Sequence, residues 1–528
     1  GGFSPRRGQN MNKGANEINM KRRLQRLCSC ALLCALLLAA LPLPAAAAST
    51  GFSDVPATHW AADEIRRAGE LGLFQGDSRG RFGLGNSMTR GAFAVVLCRL
   101  FGWEMETPET GSYTDNQDTS AWYYSAVETA YAHGAVTDQT DAFRPNDAIT
   151  REEVAVMLVR AMGYGTIAGL TQELDQPFTD VSTNVGYITM AYELGVISGT
   201  SDTTFSPDKT ATREQAAVML MRVYDKYFQA SLERTGIVSS AEGLTDLTGY
   251  TTVAVAAQRM IYAGGTKLIT TMEDEAVSAV RSAAKAAGAV QLLYVSGTGT
   301  ALKDSAGSTA SLLADAVKAG GYDGLFLDVA QLGMKQMRSF TTLVEALHKD
   351  LGDKLLYVMV EAPAWSGQPY DGYDYAALAQ AADKLVARLA PYVQEVEGFP
   401  VAPQEPLEEV YYALAELKEQ VGGEKLSLLL TTTGSLWTGG KEAGTLTAAQ
   451  IQELRQSLFT EEYYSGRYAC AYLTDASEEE LRVAWYLDGT AVAQRARMAA
   501  FFGVEELCFS DLSSMAAYED YDLLEGLN

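Results

Sequence analysis

The chain has 528 residues, 47% of them apolar and 20% charged, with 48 Gly and 14 Pro. That length exceeds what one hydrophobic core serves, and the composition excludes a disordered, collagenous or disulfide-stapled chain. A formal charge of −25 argues against nucleic acid and anionic membranes as partners.

The first 49 residues hold seven Lys or Arg against one Glu. Lys21, Arg22, Arg23 and Arg26 precede an apolar stretch from Ala31 to Leu41, then Leu-Pro-Leu-Pro and a run of alanines. This pattern, with small residues at Ala46 and Ala48, predicts a secretory signal peptide within 1–48 that is cut near Ser49; residues before Met11 or Met20 read as translated upstream sequence. The apolar core is short for a bilayer span, which disfavours a retained anchor and predicts no membrane attachment after cleavage. Cys98, Cys470 and Cys508, the cysteines beyond the signal, are far apart in apolar surroundings and are expected as buried free thiols. With His59, His133 and His348 as the only histidines, no metal site is expected.

Three segments then repeat. Phe52-Ser53-Asp54-Val55, Tyr113-Thr114-Asp115 and Phe178-Thr179-Asp180-Val181 open them. Each continues through a helical stretch to a Gly-containing turn (Gly72, Gly134, Gly195) and a second turn carrying Phe82, Phe143 or Phe205. Thr89-Arg90, Thr150-Arg151 or Thr212-Arg213 then starts a second helix. The unit is helix, loop, helix, over 50–104, 111–165 and 176–228. Each Thr can accept a third-position N–H, and Glu153 or Gln215 can return the bond as a capping box. An Arg in the first turn is not explained by helix initiation, because the macrodipole disfavours positive charge there. Two explanations stay open: an anionic partner gathered by exposed N–H groups and by Arg90, Arg151 and Arg213, or pairing of each Arg with its repeat's own aspartate.

From the F-x-D-V opening to the T-R-E-E helix start, these repeats resemble the S-layer homology domains of bacterial surface proteins. The resemblance implies an all-α, three-pronged pseudo-trimer whose grooves grip an anionic, pyruvylated secondary cell-wall polysaccharide without covalent attachment. It places wall-glycan-binding residues at Asp54, Trp60, Arg90, Asp115, Arg151, Asp180 and Arg213, and the protein outside the cell, on the wall or in the S-layer. Gly186 and Tyr187 stand near where the first repeat has His59 and Trp60, and the first repeat reads Thr89-Arg90-Gly91-Ala92 without the Glu, which implies unequal grooves.

Residues 229–249, rich in Ser, Thr and Gly, predict a linker. From 250 to 528, short apolar runs alternate with helical stretches: Thr251–Ala256, Lys267–Thr271, Val290–Val295, Leu325–Val329, Leu355–Val360, Lys384–Leu389, Leu426–Leu430 and Glu506–Phe509. Eight such runs predict an α/β fold, a (β/α)8 TIM barrel with its chemistry at the C-terminal strand ends.

The segment Asp323-Gly324-Leu325-Phe326-Leu327-Asp328-Val329-Ala330 resembles the D-G-x-D-x-D-x-E signature of glycoside hydrolase family 18. That resemblance implies substrate-assisted cleavage of N-acetylated glycans, with a glutamic acid as proton donor and an aspartate two residues earlier orienting the acetamido group. Here Ala330 stands at the glutamate position and Phe326 at the preceding acidic one. Ala390 and Pro391 replace the usual tyrosine and aspartate near the sixth strand, and Phe509 the usual tryptophan. Loss of a general acid removes a factor of ~10² to 10⁴ in rate.

The expectation is a secreted bacterial cell-surface protein displaying a hydrolase-like but catalytically silent barrel. The barrel would bind peptidoglycan or another glycan through Trp365, Tyr370, Tyr373, Trp437 and Tyr464. Two alternatives stay open: an active wall or chitin-type glycosidase in which Glu361 or Asp511 joins Asp328 as a new carboxylate pair, and a structural S-layer subunit. Asp323 and Asp328 carry an alternative of their own, bonding to neighbouring amides or loop hydroxyls. No cofactor is expected, since Gly297-Thr298-Gly299 lacks the Lys and helix context of a nucleotide site.

Overall fold

The computed structural model describes residues 51–513, apart from 138–139, 172–174, 230, 245, 366, 368–369 and 397–398. The expected export signal lies outside the described residues. No described helix is long and apolar enough to cross a membrane.

Residues 51–228 carry α1 (Ala62–Glu70) and α2 (Arg90–Phe101), α3 (Tyr124–Ala132) and α4 (Arg151–Ala161), a short α5 (Gly165–Leu170), then α6 (Val185–Glu193) and α7 (Arg213–Val223). The second helix of each repeat starts on its threonine. Thr89 Oγ1 accepts from Ala92 N, and Thr150 with Glu153, like Thr212 with Gln215, completes a capping box. Just ahead of these caps the three repeats join. Ile149 N donates to Met88 O at 2.8 Å, Met88 N to Ala211 O at 3.0 Å, and Ala211 N to Ile149 O at 2.8 Å. The hydrogen bonds form a closed ring of three, and all three side chains are buried in the shared core.

The second half runs β1 (Glu233–Val238), β2 (Thr252–Tyr262), β3 (Thr266–Thr270), α8 (Asp274–Ala286), β4 (Val290–Thr298), α9 (Ala306–Gly320), β5 (Gly324–Ala330), α10 (Met334–Leu351) and β6 (Leu355–Glu361). It continues with α11 (Tyr375–Ala381), β7 (Lys384–Arg388), the hairpin β8 (Gln394–Val396) and β9 (Phe399–Val401), α12 (Leu407–Lys418) and β10 (Leu426–Leu430). Eight parallel strands pair in the order β1-β16-β10-β7-β6-β5-β4-β2, with β16 spanning Glu506–Phe509, and β1 pairs with β2 to close the barrel. Ile237, Ala254, Leu292, Phe326, Val386, Leu429 and Cys508, from seven of the strands, fill an inner layer. Phe326 is wholly buried there, so the position where the sequence resemblance expects an acid is spent on packing.

Two sequence readings change. β1 lies inside the segment read as a linker, disguised by Glu233, Arg234 and Gly236; a Cβ at 236 would lie 2.1 Å from Leu512 Cδ1 and would displace that side chain. Lys267–Thr271, read as a barrel strand, is instead an antiparallel partner of β2 outside the barrel and is largely exposed.

Between β10 and α14 (Gly489–Phe501) sits an insertion that the sequence reading folded into the barrel. It is an antiparallel sheet of β11 (Gly434–Thr438), β12 (Lys441–Leu446), β13 (Thr460–Ser465), β14 (Cys470–Asp475) and β15 (Arg482–Tyr486), with α13 (Ala448–Arg455). Arg495 of α14 is wholly buried and donates to the carbonyls of Gln404, Glu405, Tyr468, Ala469 and Ala491, which ties the insertion to the loop after β9. The two halves also touch: Lys418 pairs with Glu193 at 2.7 Å, and Arg497 covers the Tyr227 ring.

Gly324 opens β5 where a Cβ would meet Leu355 O at 2.2 Å. Gly324→Ala is expected to cost about 1–3 kcal/mol through overpacking against backbone, read as a lower Tm of the full chain; an unchanged Tm would contradict the register of β5 on β6.

Candidate functional site

Two places gather the residues singled out in the sequence. The first is the seam between repeats. Asp54 accepts from the N–H groups of Phe82, Gly83 and Leu84, Asp115 from Phe143 and Arg144, and Asp180 from Phe205 and Ser206, at 2.6–3.2 Å. Each aspartate thus fixes the second turn of its own repeat. Each arginine then reaches the same turn of the next repeat. Arg90 Nε donates to Phe143 O at 2.7 Å, Arg151 Nε to Phe205 O at 2.9 Å and Arg213 Nε to Phe82 O at 2.9 Å. The guanidinium lies 4.7–5.0 Å from the centre of that phenylalanine ring. Arg90 also pairs with Glu153 at 2.9 Å.

This geometry corrects the premise drawn from the sequence, that the helix starts present exposed N–H groups. Arg90 N and Gly91 N donate to Asp147 O and Pro145 O, Arg151 N and Glu152 N to Lys209 O and Pro207 O, and Arg213 N to Asn86 O. The neighbouring repeat occupies them. In the first repeat a Cβ on Gly91 would crowd Pro145 O at 3.0 Å and Tyr123 Cβ at 3.1 Å, which disfavours a larger residue there. Trp60 is 62% exposed, and Trp122, which the sequence reading passed over, is 64% exposed. The signal was available, since both follow the opening aromatic of their repeats by nearly the same interval.

The second place is the barrel mouth, a cleft of about 560 Å³ between the strand ends and the insertion. Ala330, Glu361, Arg388, Pro391, Glu405 and Trp437 are among its walls. Asp328 and Glu361, both buried, are brought together by Arg388: Nη1 and Nη2 hold Asp328 at 2.8 and 3.0 Å, and Nη2 holds Glu361 at 2.7 Å. Tyr294 Oη donates to Asp328 at 2.6 Å. Burial works against the Arg388 charge, but the bonds and charges of Asp328 and Glu361 outweigh it and raise its pKa. The side chain that interrupts β7 as a sequence pattern is therefore the hub of the mouth.

The other candidates separate. Asp511 follows β16, on the opposite side of the barrel from β5, and bonds Ser239 Oγ at 2.5 Å. Asp323 precedes β5 at the far end of the strand, where its carboxylate accepts from Gln291 N at 2.8 Å, so it belongs to the barrel floor and not to the mouth. Tyr370 lines the cleft with Trp437, while Tyr373 is buried with its hydroxyl on Val329 O, and Tyr464 sits on β13 bonded to Gln494. Glu405, missed in the sequence, is buried with φ +38° and accepts from Thr431. Burial pushes its carboxyl above the usual range, against the Thr431 bonds and the Arg495 charge. Among the described residues no cluster could hold a metal ion, and Cys98, Cys470 and Cys508 are buried free thiols.

The family model described as S-layer homology domain matches residues 51–94, 112–155 and 177–217; the chain carries three such domains. An endoglucanase of Bacillus sp. (strain KSM-635) is 31% identical over 247 residues, 42% of this chain and 25% of that protein. An S-layer protein of Bacillus thuringiensis subsp. finitimus is 30% identical over 214 residues, 40% of this chain and 25% of that protein. The chain spans about a quarter of the length of these relatives. Among solved structures, a class V chitinase from Pseudomonas fluorescens Pf-5 aligns with a TM-score of 0.48 at 17% identity, covering 56% of this chain and 98% of that one. The spore cortex-lytic enzyme SleL of Bacillus megaterium QM B1551 aligns with a TM-score of 0.45 at 16% identity, covering 54% and 71%.

Arg388→Leu would leave two buried carboxylates without their cation, at a cost of about 3–5 kcal/mol near pH 7. Replacing both acids as well, by Asp328→Asn and Glu361→Gln, should recover part of this deficit, since no buried charge is then left without a partner. Denaturant melts of the single and triple variants check it; an equal deficit in both would contradict the triad.

Proposed function

We propose that this is an exported bacterial surface protein, held on the cell wall by its three S-layer homology domains and displaying a barrel that binds a glycan without cutting it. The observation that carries the anchoring is the family match to three tandem domains, whose turns interlock as a ring. We read that ring as a three-pronged pseudo-trimer. Its grooves would take an anionic, pyruvylated secondary wall polysaccharide, with Trp60 and Trp122 as sugar platforms. Arg90, Arg151 and Arg213 would supply charge at the seams, and Asp54, Asp115 and Asp180 would hold the turns in shape.

For the barrel, silence follows from chemistry. Ala330 has no proton to give, and Asp328 and Glu361 are committed to Arg388, so neither serves as a general acid at neutral pH. A second reading, hydrolysis of peptidoglycan or a chitin-type glycan, is favoured by one observation: Glu405 lines the same cleft with its carboxyl pKa raised by burial, as a proton donor requires.

Two experiments test these readings. The full chain should be retained on purified wall sacculi and lost once the secondary polymer is stripped, with Trp60→Ala and Trp122→Ala each weakening retention roughly 3- to 10-fold. Retention that survives stripping rejects the anchoring mechanism. With peptidoglycan and chitin oligomers, the parent and Asp328→Ala should give the same background rate; turnover above background that Glu405→Gln abolishes would establish the second reading.

A further inference from the structure

Beside the mouth lies a separate cavity of about 410 Å³, where the barrel meets the repeats. From the barrel side it is walled by the aromatic rings of Trp365, Tyr392, Tyr411 and Tyr412, and from the repeat side by Ile167 and Leu170 of α5. Trp365, 44% exposed, meets Tyr412 edge to face at 5.3 Å. Three charged residues complete the lining: Glu408 and Glu409 at the start of α12, and Arg467.

Two oxygens in this wall have no hydrogen-bond partner although they are buried, Glu408 Oε2 and Tyr411 Oη. Buried polar atoms are seldom left this way unless a ligand or solvent answers them. The lining carries two carboxylates against one guanidinium. Aromatic faces attract cations through their quadrupole, and a net acidic wall repels anions. A cavity of this size suits a small molecule.

We propose that this cavity is a binding site for a primary ammonium group carried on a sugar ring or a short alkyl chain, with Glu408 as its counter-ion and the aromatic rings around its body. The site is distinct from the mouth, although both share Pro391, Tyr392 and Val393, and it does not depend on what the mouth binds.

The Glu408 carboxyl supplies a handle. Burial raises it, the Arg467 charge lowers it and Glu409 raises it, leaving it at about 7. Glu409 Oε2 is taken by Trp365 N at 3.0 Å, and burial raises the hydroxyls of Tyr392, Tyr411 and Tyr412, so these stay neutral near pH 7. Below 7 Glu408 is protonated and offers no charge; above 7 it is a carboxylate. A lysine-type amine stays charged up to about pH 10, so its affinity should rise with pH across this window.

The test is calorimetric titration of the full chain with two probes, Nα-acetyl-lysine methylamide and the β-1,4-linked glucosamine dimer, each beside its N-acetylated counterpart. Binding of either amine, at least about tenfold tighter than its acetylated form, supports the proposal, and which one binds tells a diamino-acid source from an amino-sugar source. Affinity for the lysine probe should increase about tenfold from pH 5.5 to 8, and Glu408→Gln should flatten that rise while leaving Tm unchanged. If the Gln variant misfolds, Trp365→Ala, at an exposed position, should weaken both amines instead. Equal binding of the acetylated forms, no binding of either amine, or a pH rise that persists in a folded Glu408→Gln protein would overturn the assignment. Wall retention reads the repeats alone and is unaffected by any of these outcomes.

Discussion

The bond from each repeat's arginine to the next repeat's phenylalanine carbonyl is what makes the front half one body. A guanidinium carried into the interior must be answered by acceptors and by a polarisable face. Here the carbonyl and the ring belong to the following repeat, and the third repeat returns to the first through Arg213 and Phe82. No repeat is complete alone, because its own arginine has nowhere to go and its own turn, though fixed by its aspartate, lacks the arginine that covers it. Stacked repeats in general bury their faces against neighbours. In this chain the rule closes on itself after three.

The barrel mouth uses the same device for a different end. Arg388 stands between Asp328 and Glu361 much as Arg90, Arg151 and Arg213 stand between repeats, holding both carboxylates as partners of one fixed cation. The alanine at 330 and the cation at 388 act in one direction: the first offers no proton, and the second holds the neighbouring carboxylates as acceptors. Glu405 escapes because it comes from another loop, held in a left-handed backbone by the carbonyl contacts of Arg495. It is the one carboxyl at the mouth whose burial is not offset by a direct salt bridge among the described residues.

Much of this was legible in the sequence, and the gaps have physical causes. The threonine caps were read correctly because a cap is local: Thr and a Glu or Gln three residues on suffice. The bonds of the arginines to the next repeat are not legible in the sequence because their partners lie more than fifty residues away, in a turn whose contribution is a backbone carbonyl and so leaves no side-chain mark. Six apolar runs from Val290 onward became barrel strands. β1 was lost because a strand whose interior positions include Thr235 and Gly236 has no apolar pattern, and the segment at Lys267 reads as a strand because Leu268 and Ile269 sit among the β-forming Thr266, Thr270 and Thr271. The insertion hid behind polar strands such as β13, whose Glu461 and Glu462 face solvent. Arg388 looked like an interruption, yet it continues the inward-facing alternation from Val386, and a charge at such a position marks a buried partner more often than a broken strand.

The charge balance sets how the two binding regions can work. With a net charge of −25, the long-range field of this protein opposes an anionic polymer, and at physiological salt that field decays over about 8 Å. Attraction must therefore come from groups within that distance of the ligand. On the proposed anchoring, the seam arginines, already held by the neighbouring repeat, would meet an anion with little side-chain entropy left to lose on binding. Arg151 is buried and Arg90 is paired with Glu153, which leaves Arg213 the least encumbered of the three. The aromatic cavity at the barrel's edge has the opposite character: its wall shares the sign of the whole molecule, so the global field and the local one act together on a cation. On the two proposals made above, the surfaces would take ligands of opposite charge, and the acidic background that works against the first would reinforce the second.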